Sequence, residues 1–350
     1  MSAPGEARTW PSLLGQLIAR EDLSESDTAW AMDQIMSGAA THTQIGGFAV
    51  ALRAKGETPA EISGMAEMML KHGRRVTLDK PAVDIVGTGG DRSNSVNIST
   101  MTTIVTAAAG IVVAKHGNRS ASSKSGAADV LETLGVAIDL PPDEVRRCVD
   151  ELGIGFCFAP LFHPALRHVG VPRRELGVPT TFNLLGPLTN PAQPSSALIG
   201  CAYADKTRLL ADVFARRGTR VLLARGDDGL DEITTTTTTS VWLVSGGEVV
   251  ERSFDPLSVG IPRASAADLR GGDAAANAEV IRELVNGKPG PVRDAVLLNS
   301  AAAITAFTGF SDSLEDDIAA GLTRAAEAID SGAAANLLTR WIAFSATAVR

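Results

Sequence analysis

Residues 83–92 read VDIVGTGGDR, a short run of β-branched residues that leads directly into a glycine-rich loop. The same pattern returns at residues 111–114, which lead into KHGN, and at residues 154–158, which lead into Ala159 and Pro160. Helical patterns separate these runs, and short strands that alternate with longer helices are typical of parallel βαβ units. The sequence therefore predicts an α/β fold with a mostly parallel central sheet flanked by helices. Its ligands are expected in the loops that follow the strands.

Two more strands and a hairpin complete the predicted sheet. Residues 198–203 and 221–224 are apolar runs, with a helical pattern at residues 206–216 between them. Residues 241–253 surround a Gly-Gly pair, which favours a hairpin. The threonine tract at residues 234–239 is interpreted as a β-prone run that enters this hairpin.

The chain is predicted to begin and end with helices. Thr58, Pro59 and Glu61 form the start signal of a helix, with a capping threonine and a glutamate placed to bond back to it. Gly73 should end this helix. Up to about residue 75 the sequence reads as a small all-helical unit. Further helical patterns lie at residues 26–36, at residues 44–54 and from residue 274 onward.

The composition limits the classes of protein to which the chain can belong. Its 350 residues are 45% hydrophobic, enough to bury a large core. A net charge of -8 argues against a nucleic-acid or membrane-surface partner. No apolar run reaches the roughly eighteen residues of a membrane span, so neither a span nor an export signal is expected. The cysteines form no Cys-x-x-Cys pair, which predicts neither disulfides nor a zinc knuckle and favours a reducing cytoplasm: Cys148, Cys157 and Cys201.

The first glycine-rich loop, from Gly87 to Asp91, suits an anion. Glycines let the backbone approach a phosphate closely, and the helix predicted at residues 97–109 supplies free amides at its N-terminus. The loop is not a dinucleotide fingerprint, because Arg92 replaces the last glycine of Gly-x-Gly-x-x-Gly. By itself such a loop can equally be a simple tight turn.

The second loop, at residues 115–123, reads KHGNRSASS. It combines two permanent cations, small turn residues and three hydroxyls, an inventory that suits a polyphosphate. The alternative is a solvated polar loop. A second anion-suited loop after a second strand favours the phosphate interpretation.

Acidic residues follow the strand at residues 221–224. Magnesium prefers oxygen ligands and commonly shares one or two carboxylates with substrate phosphates. Taken alone, the run can be a solvated acidic surface. Opposite two candidate phosphate loops, it is interpreted as a magnesium site: Asp227, Asp228, Asp231 and Glu232.

A cluster of histidines and arginines occupies residues 162–174. On a helix, Arg173 could direct its planar guanidinium at the carboxylate of an aromatic acid. The alternative is an ordinary surface arginine. His163 and His168 lack the spacing of a zinc motif and are interpreted as structural. Neither a Gly-x-Ser-x-Gly elbow nor a base beside Cys157 is present, so the sequence gives no support for nucleophilic catalysis.

Together these motifs resemble the anthranilate phosphoribosyltransferase family, from about Leu14 to near Trp341. The resemblance implies a small helical domain beside a large α/β domain, the fold of the pyrimidine nucleoside phosphorylases. It also implies Mg²⁺-dependent transfer of the phosphoribosyl group of phosphoribosyl pyrophosphate (PRPP) to the anthranilate amine, in tryptophan biosynthesis. Five strings carry the resemblance: DIVGTGGD at residues 84–91, VNIST at 96–100, KHGNR at 115–119, NLLGPLTNP at 183–191 and GLDE at 229–232.

The resemblance also implies roles for individual residues. A homodimer would form through a helical domain of residues 1–75 plus about 164–180, while residues 76–163 and 181–350 would carry the PRPP and Mg²⁺ sites. The PRPP site would comprise Gly87, Gly89, Gly90, Asp91, Ser95, Asn97, Ile98, Ser99, Thr100, Lys115, Asn118, Arg119, Ser120, Ala121, Ser122, Ser123 and Ala127. The Mg²⁺ site would comprise Ser99, Asp231 and Glu232. Anthranilate would meet Gly87, His116, Asn118, Ala159, Pro160, His163, Arg167 and Arg173.

Two residues depart from relatives in the family: Arg92 stands where many relatives have glycine, and Leu166 stands where some relatives carry an aromatic residue, in the region by which anthranilate enters. We take Lys115, Asn118 and Arg173 as candidate catalytic residues. The hypothesis is transfer at ribose C1 through an oxocarbenium-like centre, in which Mg²⁺ and Lys115 stabilise the departing pyrophosphate and Arg173 holds the anthranilate carboxylate. No general base is assigned, because an aromatic amine is already neutral at pH 7.

Two other functions are compatible with the same fold. A pyrimidine nucleoside phosphorylase normally binds inorganic phosphate with a Ser/Thr-Gly-Gly sequence in its lysine loop, whereas this chain has Gly117, Asn118 and Arg119 there. A non-enzymatic, nucleic-acid-binding relative would need a basic face, against which the net charge of -8 argues.

Overall fold

The computed structural model describes residues 8–120 and 124–348. The chain begins with four helices, α1 (Trp10–Ile18), α2 (Glu25–Met36), α3 (His42–Lys55) and α4 (Pro59–His72). The cap of α4 forms as predicted: the Glu61 N–H donates to Thr58 Oγ1 at 3.3 Å and the Thr58 N–H donates to Glu61 Oε2 at 2.7 Å. Gly73 follows the last helical residue. The helical start of the chain is confirmed.

Helices α2 and α4 pack closely because a glycine lies where their backbones cross. A Cβ at Gly64 of α4 would lie 2.1 Å from the backbone oxygen of Glu25, so only glycine fits this crossing with α2. The rings of Trp10 and Phe48 meet edge-on, with centroids 6.0 Å apart, and fix α1 against α3. The buried side of the bundle is continuous with one face of the sheet.

The sheet has seven strands in the described residues, β1 (Val83–Gly87), β2 (Val113–Gly117), β3 (Ile154–Phe158), β4 (Ser196–Gly200), β5 (Arg220–Gly226), β6 (Thr239–Ser245) and β7 (Glu248–Phe254). Their order is β3-β2-β1-β4-β5-β6-β7. The first five are parallel, while β6 and β7 form an antiparallel hairpin at one edge. Leu198 and Leu222 face one core and Ile199 and Leu223 face the other, because strand side chains alternate. The predicted, mostly parallel sheet is confirmed.

Helices cover both faces of this sheet: α5 (Ile98–Ala108), α6 (Ala127–Leu134), α7 (Pro142–Leu152), α8 (Ala159–Phe162), α9 (Arg167–Leu176), α10 (Thr207–Arg217), α11 (Ala274–Val285), α12 (Pro291–Thr308), α13 (Leu314–Asp330) and α14 (Ala333–Ala348). Helices α5 and α11 to α14 pack on one face, and α10 with the N-terminal bundle packs on the other. Helix α9 returns to the bundle and contacts α2 and α3. Among the helices of the described residues, none is both long and apolar enough to cross a membrane.

The second strand lies further along the chain than predicted. β2 runs to Gly117 instead of ending at residue 114, so Lys115 and His116 lie inside the sheet and are 1% and 3% exposed. The prediction was wrong because polar side chains were interpreted as a loop. On the neighbouring strand, Asp84 accepts the His116 N–H at 3.0 Å and compensates this buried polarity.

The threonine tract is largely a loop, and β6 begins only at its end. The hydroxyls of Thr234 and Thr236 donate to Asp228 Oδ2, and the hydroxyl of Thr238 donates to Asp227 Oδ2. The predicted strand is wrong here because local side-chain hydrogen bonds compete with strand pairing. These hydrogen bonds engage the carboxylates of Asp227 and Asp228 within the threonine loop. Asp227 and Asp228 are therefore separate from Asp231 and Glu232, the acidic residues that follow.

Candidate functional site

The acidic segment rests on the ends of the two central strands. Gly87 of β1 pairs with Gly200 of β4 at the carboxyl edge of the sheet. A Cβ on Gly87 would lie 2.2 Å from Asp231 Oδ2, and a Cβ on Gly200 would lie 1.5 Å from the Asp231 backbone oxygen. Gly200 therefore requires glycine, and a side chain at Gly87 would displace the Asp231 carboxylate. The strand β4 ends at Gly200, whereas the sequence predicted its end at residue 203. The strand ends thus hold Asp231 and Glu232 directly over the carboxyl edge.

The glycine loop after β1 is fastened to this acidic segment. The Gly89 N–H donates to Asp231 Oδ2 at 2.7 Å. Gly89 and Gly90 have φ angles of +66° and +91°, which glycine adopts without steric cost. Arg92 also has a positive φ, of 60°. A left-handed conformation costs a residue with a Cβ about 1–2 kcal/mol, so arginine stands where the backbone favours glycine.

The start of α5 joins the glycine loop to the acidic segment and to the second loop. The Ser99 N–H donates to Glu232 Oε1 at 3.0 Å. Asn97, which precedes the helix, donates from Nδ2 to the Ser125 oxygen at 3.1 Å and accepts from Asn277 at 2.8 Å. Asn97 is therefore held in place by its neighbours instead of capping the helix.

The other predicted PRPP residues differ in their burial and in their contacts. Asp91 Oδ1 accepts the Ser93 N–H at 3.2 Å. Ser95 forms an isolated bridge with Arg270, which closes the end of the glycine loop. Two residues in the first turn of α5 are buried, Ile98 and Thr100. Ala127 is the first residue of α6, and three predicted residues lie outside the described residues: Ala121, Ser122 and Ser123.

Lys115 lies beneath the site, and not in an open loop. Its ammonium donates to the Ile85 oxygen and to Ser99 Oγ, the latter at 3.3 Å. Burial lowers the pKa of Lys115 to about 8, against the opposing effect of Asp84 and Glu232. Burial raises the pKa of Asp84 to about 6, with Lys115 opposing it. Asp84 had no predicted role, although the string DIVGTGGD begins with it.

Three carboxyl groups crowd together above Lys115. Burial raises the pKa of Asp231 to about 7, and the charge of Asp91 adds to this shift. Burial also raises the pKa of Glu232 well above its usual range, with Asp231 and Asp91 adding to it. A cation at this point would relieve the repulsion between the like charges. In the described part of the chain, no group of three or more His, Cys, Asp or Glu side chains is arranged to hold a metal ion.

The second loop directs its arginine away from the carboxyl edge. The Arg119 guanidinium forms ion pairs with Glu132 and with Asp129, the latter at 3.0 Å. Asn118 is exposed, and its Oδ1 accepts the Arg119 N–H at 2.7 Å. The Ser120 N–H donates to Asp129 Oδ2 at 3.2 Å. Arg119 therefore pairs with two acidic residues of α6, a pairing that its position in the second loop did not reveal.

His116 and His163 form a buried pair next to the site. Their rings meet edge-on, with centroids 5.4 Å apart. His116 Nδ1–H donates to the Gly186 oxygen at 3.0 Å, and His163 Nε2–H donates to the Thr189 oxygen at 2.8 Å. Burial lowers the pKa of both rings, to about 3 for His116. Both imidazoles are therefore neutral at pH 7, and they fasten the NLLGPLTNP segment to the sheet.

Replacing His116 by Gln should make the stability of the protein less sensitive to acid. The folded-state pKa of His116, about 3, lies below its ordinary value of 6.5. The unfolded chain therefore takes up a proton as the pH falls below 6.5 while the folded chain does not, so this contribution to stability is lost on acidification. Between pH 7 and pH 5 the wild type should lose about 2 kcal/mol more than the variant. Urea unfolding at both pH values measures this, and parallel losses would contradict the assignment of a buried neutral imidazole.

Arg173 is the half-buried cation of α9. Within the described residues it makes neither an ion pair nor a hydrogen bond with another side chain. Burial lowers the pKa of Arg173, and only the nearby Tyr203 opposes this shift. Tyr203 in turn touches the glycine loop, because its Oη lies 2.7 Å from the place of a Cβ on Gly90. The Arg173 guanidinium is therefore partly desolvated without a partner side chain in the described residues, and a bound anion would compensate its burial.

The remaining predicted anthranilate residues lie on α8, directly after it and at the start of α9. Ala159 is buried at the start of α8, while Pro160 and Arg167 are exposed. His163 follows α8 and belongs to the buried pair described above. Tyr203 was not among the residues predicted from the sequence, although its position just after β4 places it at the same edge of the sheet.

Two family models match the chain. The model of the glycosyl transferase family, a/b domain, matches residues 79–335. The model of the glycosyl transferase family, helical bundle domain, matches residues 11–73.

The chain is also similar to individual proteins over nearly its whole length. An anthranilate phosphoribosyltransferase of Saccharopolyspora erythraea is 63% identical over 335 residues, which cover 96% of this chain and 95% of the relative. The crystal structure of anthranilate phosphoribosyltransferase from Thermus thermophilus matches with a TM-score of 0.88 and 40% identity, covering 95% of this chain and 99% of that chain. The Saccharomyces cerevisiae enzyme in complex with PRPP and Mg matches with a TM-score of 0.88 and 27% identity, covering 97% and 98%. The same yeast enzyme in complex with 4-fluoroanthranilate matches with a TM-score of 0.85 and 27% identity, covering 97% and 99%.

Proposed function

The chain belongs to the anthranilate phosphoribosyltransferase family, and we propose that the family's reaction takes place at the carboxyl edge of its sheet, between the glycine loop and α9. The chain transfers the phosphoribosyl group of PRPP to anthranilate, a step of tryptophan biosynthesis. One observation carries the placement of the site. Gly89 is hydrogen-bonded to Asp231 at 2.7 Å across the strand ends, and the unpaired Arg173 lies beyond Tyr203 on the other side of the same loop.

We place the pyrophosphate of PRPP on the glycine loop and on the start of α5. Gly89 and Gly90 expose backbone that a phosphate can approach closely, and the first turn of α5 contributes the positive end of a helix. Lys115 adds a buried positive charge beneath them. The yeast relative, which was determined with PRPP, supports this placement by its matching fold. Asn118 and Ser120 extend the site along the second loop.

Mg²⁺ fits the acidic segment. Asp231 and Glu232 each use one carboxyl oxygen to accept a backbone N–H, and both carry a pKa raised by burial and by like charge. We propose that these two carboxylates hold Mg²⁺ together with Ser99, whose hydroxyl already accepts from Lys115. When bound, Mg²⁺ would neutralise charge on the pyrophosphate leaving group.

Anthranilate fits between α9 and the second loop. Its carboxylate requires a cation with free donors, and Arg173 has both burial and unused donors. The yeast relative was determined with 4-fluoroanthranilate, an analogue that retains the carboxylate. Asn118 is exposed on the opposite loop and is proposed to orient the aromatic amine. Ala159 and Pro160 would flank the ring.

The protein's own residues mainly orient the substrates and compensate charge. The bond from ribose C1 to the pyrophosphate oxygen breaks, the anthranilate nitrogen bonds to C1, and the nitrogen then releases one proton to water. Lys115 and the N-terminal end of α5 favour departure of the pyrophosphate, because they place positive charge where negative charge develops. Arg173 fixes the carboxylate, which holds the neighbouring amine in line with C1. The buried histidine His116 is neutral and hydrogen-bonded to a backbone oxygen, so it is not proposed as a base.

The proposed function is tested by following the fluorescence of anthranilate. The purified chain should consume anthranilate only when PRPP and Mg²⁺ are both present, and omission of either should stop the reaction. A parallel incubation with thymidine or uridine and inorganic phosphate should give no free base. Phosphorolysis of the nucleosides without consumption of anthranilate would contradict the proposal.

We further propose the division of the chain and its assembly. Residues 1–75 and about 164–180 would form the helical domain, supported by the packing of α9 on α2 and α3. Residues 76–163 and 181–350 would form the α/β domain. A homodimer through the helical domain is proposed, and the exposed apolar side chains Ile18 and Val50 on α1 and α3 support it. A reducing cytoplasm is consistent with the three free, buried cysteines of the described residues.

A further inference from the structure

Tyr203 lies between the proposed PRPP site and the proposed anthranilate site. It is the only tyrosine of the chain and lies three residues after the end of β4. Its backbone is tied to the glycine loop through Thr88, whose N–H donates to the Gly200 oxygen at 2.9 Å and whose Oγ1 accepts the Ala202 N–H at 3.1 Å. The Lys206 N–H also donates to the Tyr203 oxygen, at 2.9 Å. These hydrogen bonds therefore fix the backbone of Tyr203 relative to the glycine loop.

The tip of the Tyr203 side chain rests on Gly90. A Cβ built on Gly90 would lie 2.7 Å from Tyr203 Oη but 3.4 Å from Cζ, so the hydroxyl is the atom in closest contact. Gly90 has a φ of +91° and belongs to the turn proposed to hold the pyrophosphate. The hydroxyl therefore limits how far this turn can move toward α9.

The Tyr203 phenol also interacts with Asn183 and with Arg173, the residue proposed to bind anthranilate. Arg173 is close enough that Tyr203 affects the pKa of its guanidinium. Burial raises the pKa of the Tyr203 phenol, and a hydrogen bond with the Asn183 side chain acts in the opposite direction. Asn183 begins the NLLGPLTNP string, which carries the family resemblance but had no predicted role. The hydroxyl thus lies among the glycine turn, Asn183 and Arg173.

We propose that Tyr203 is a positioning residue, whose hydroxyl sets the separation between the glycine turn at Gly90 and the guanidinium of Arg173. The inference rests on the proposed function, because it assigns the pyrophosphate to that turn and the anthranilate carboxylate to Arg173. The hydroxyl takes no part in bond making. By setting this separation, the hydroxyl fixes the distance between the anthranilate amine and ribose C1.

Replacing Tyr203 by Phe tests the hydroxyl while it keeps the ring. We expect kcat to fall about tenfold, the scale of one hydrogen bond lost from the reacting complex, with both KM values changed less than about threefold. The melting temperature should stay at that of the wild type. Thr308→Val is the matched control: it removes a hydroxyl that bonds to the Ile304 oxygen at the other edge of the sheet, and it should keep wild-type kcat. An unchanged kcat in Tyr203→Phe, or a loss that merely follows a loss of folded protein, would overturn the proposal.

A double-mutant cycle with Gly90→Ala tests the contact itself. Alone, the alanine Cβ would meet the Tyr203 hydroxyl at 2.7 Å, whereas in the Phe background its nearest ring atom is 3.4 Å away. The double variant should therefore be more active than Gly90→Ala alone, although the positive φ strains alanine in both. Strictly additive losses would contradict the contact. Wild-type protein assayed in parallel separates the two proposals, because an inactive wild type would contradict the proposed function and not the role of Tyr203.

Discussion

Replacing Asp231 by Asn together with Glu232 by Gln is expected to lower kcat/KM by about 1,000-fold, because the variant loses both carboxylates proposed to hold Mg²⁺. The folded structure should survive. Asn and Gln keep an oxygen to accept the Gly89 and Ser99 N–H groups, and the change removes a repulsion that raises the pKa of both carboxyl groups. The measurement is the initial rate as a function of Mg²⁺ concentration at saturating PRPP.

A matched double variant controls for loss of charge. Asp227→Asn with Asp228→Asn removes two carboxylates from the same loop, where their oxygens accept threonine hydroxyls that an amide oxygen can also accept. This control should keep activity within about fivefold of the wild type, since such surface charges act weakly at a distance. Wild-type Mg²⁺ dependence in the Asp231 and Glu232 variant would show that the metal is held elsewhere.

Replacing Arg173 by Ala is expected to raise the KM for anthranilate about 100-fold, roughly 3 kcal/mol, because truncation of one partner of a desolvated ion pair costs several kcal/mol. The KM for PRPP should change far less, since Arg173 lies on α9 and PRPP is assigned to the strand loops. Steady-state kinetics with each substrate varied in turn gives both constants.

The neighbouring arginine provides the control for Arg173. Arg174 is exposed on the same turn of α9, so Arg174→Ala should leave both KM values within about twofold, as for ordinary surface positions. Arg173→Lys should fall between the wild type and the alanine variant, because an ammonium keeps the charge but not the planar pair of donors. Equal effects of Arg173→Ala on both substrates would remove its assigned role.

The succession of strands and loops along the chain could be predicted from the sequence because the residues of each element themselves indicate its type. The run at residues 83–86 and the glycines after it identify a strand and its loop without knowledge of any other part of the chain. The cap at Thr58 and Glu61 is local in the same way, and both were confirmed. The family resemblance then added the reaction and the substrates, which no local pattern contains.

The burial of each residue could not be predicted, because it depends on contacts between segments that are distant in the sequence. Lys115 looks polar and loop-like until Asp84 and Ser99 are placed beside it. Gly200 must be glycine only because the backbone of Asp231 crosses it. The candidate residues near the strand ends were thus identified by type, while their partners required the fold.

The placement of Mg²⁺ and PRPP can be tested directly with crystals grown with PRPP and Mn²⁺ in place of Mg²⁺, whose anomalous signal locates the metal. An anomalous peak should lie within about 2.5 Å of a carboxyl oxygen of Asp231 or Glu232, with the pyrophosphate against the backbone of the glycine loop at Gly89 and Gly90. A metal peak remote from both carboxylates, or a pyrophosphate bound away from the glycine loop, would contradict the account.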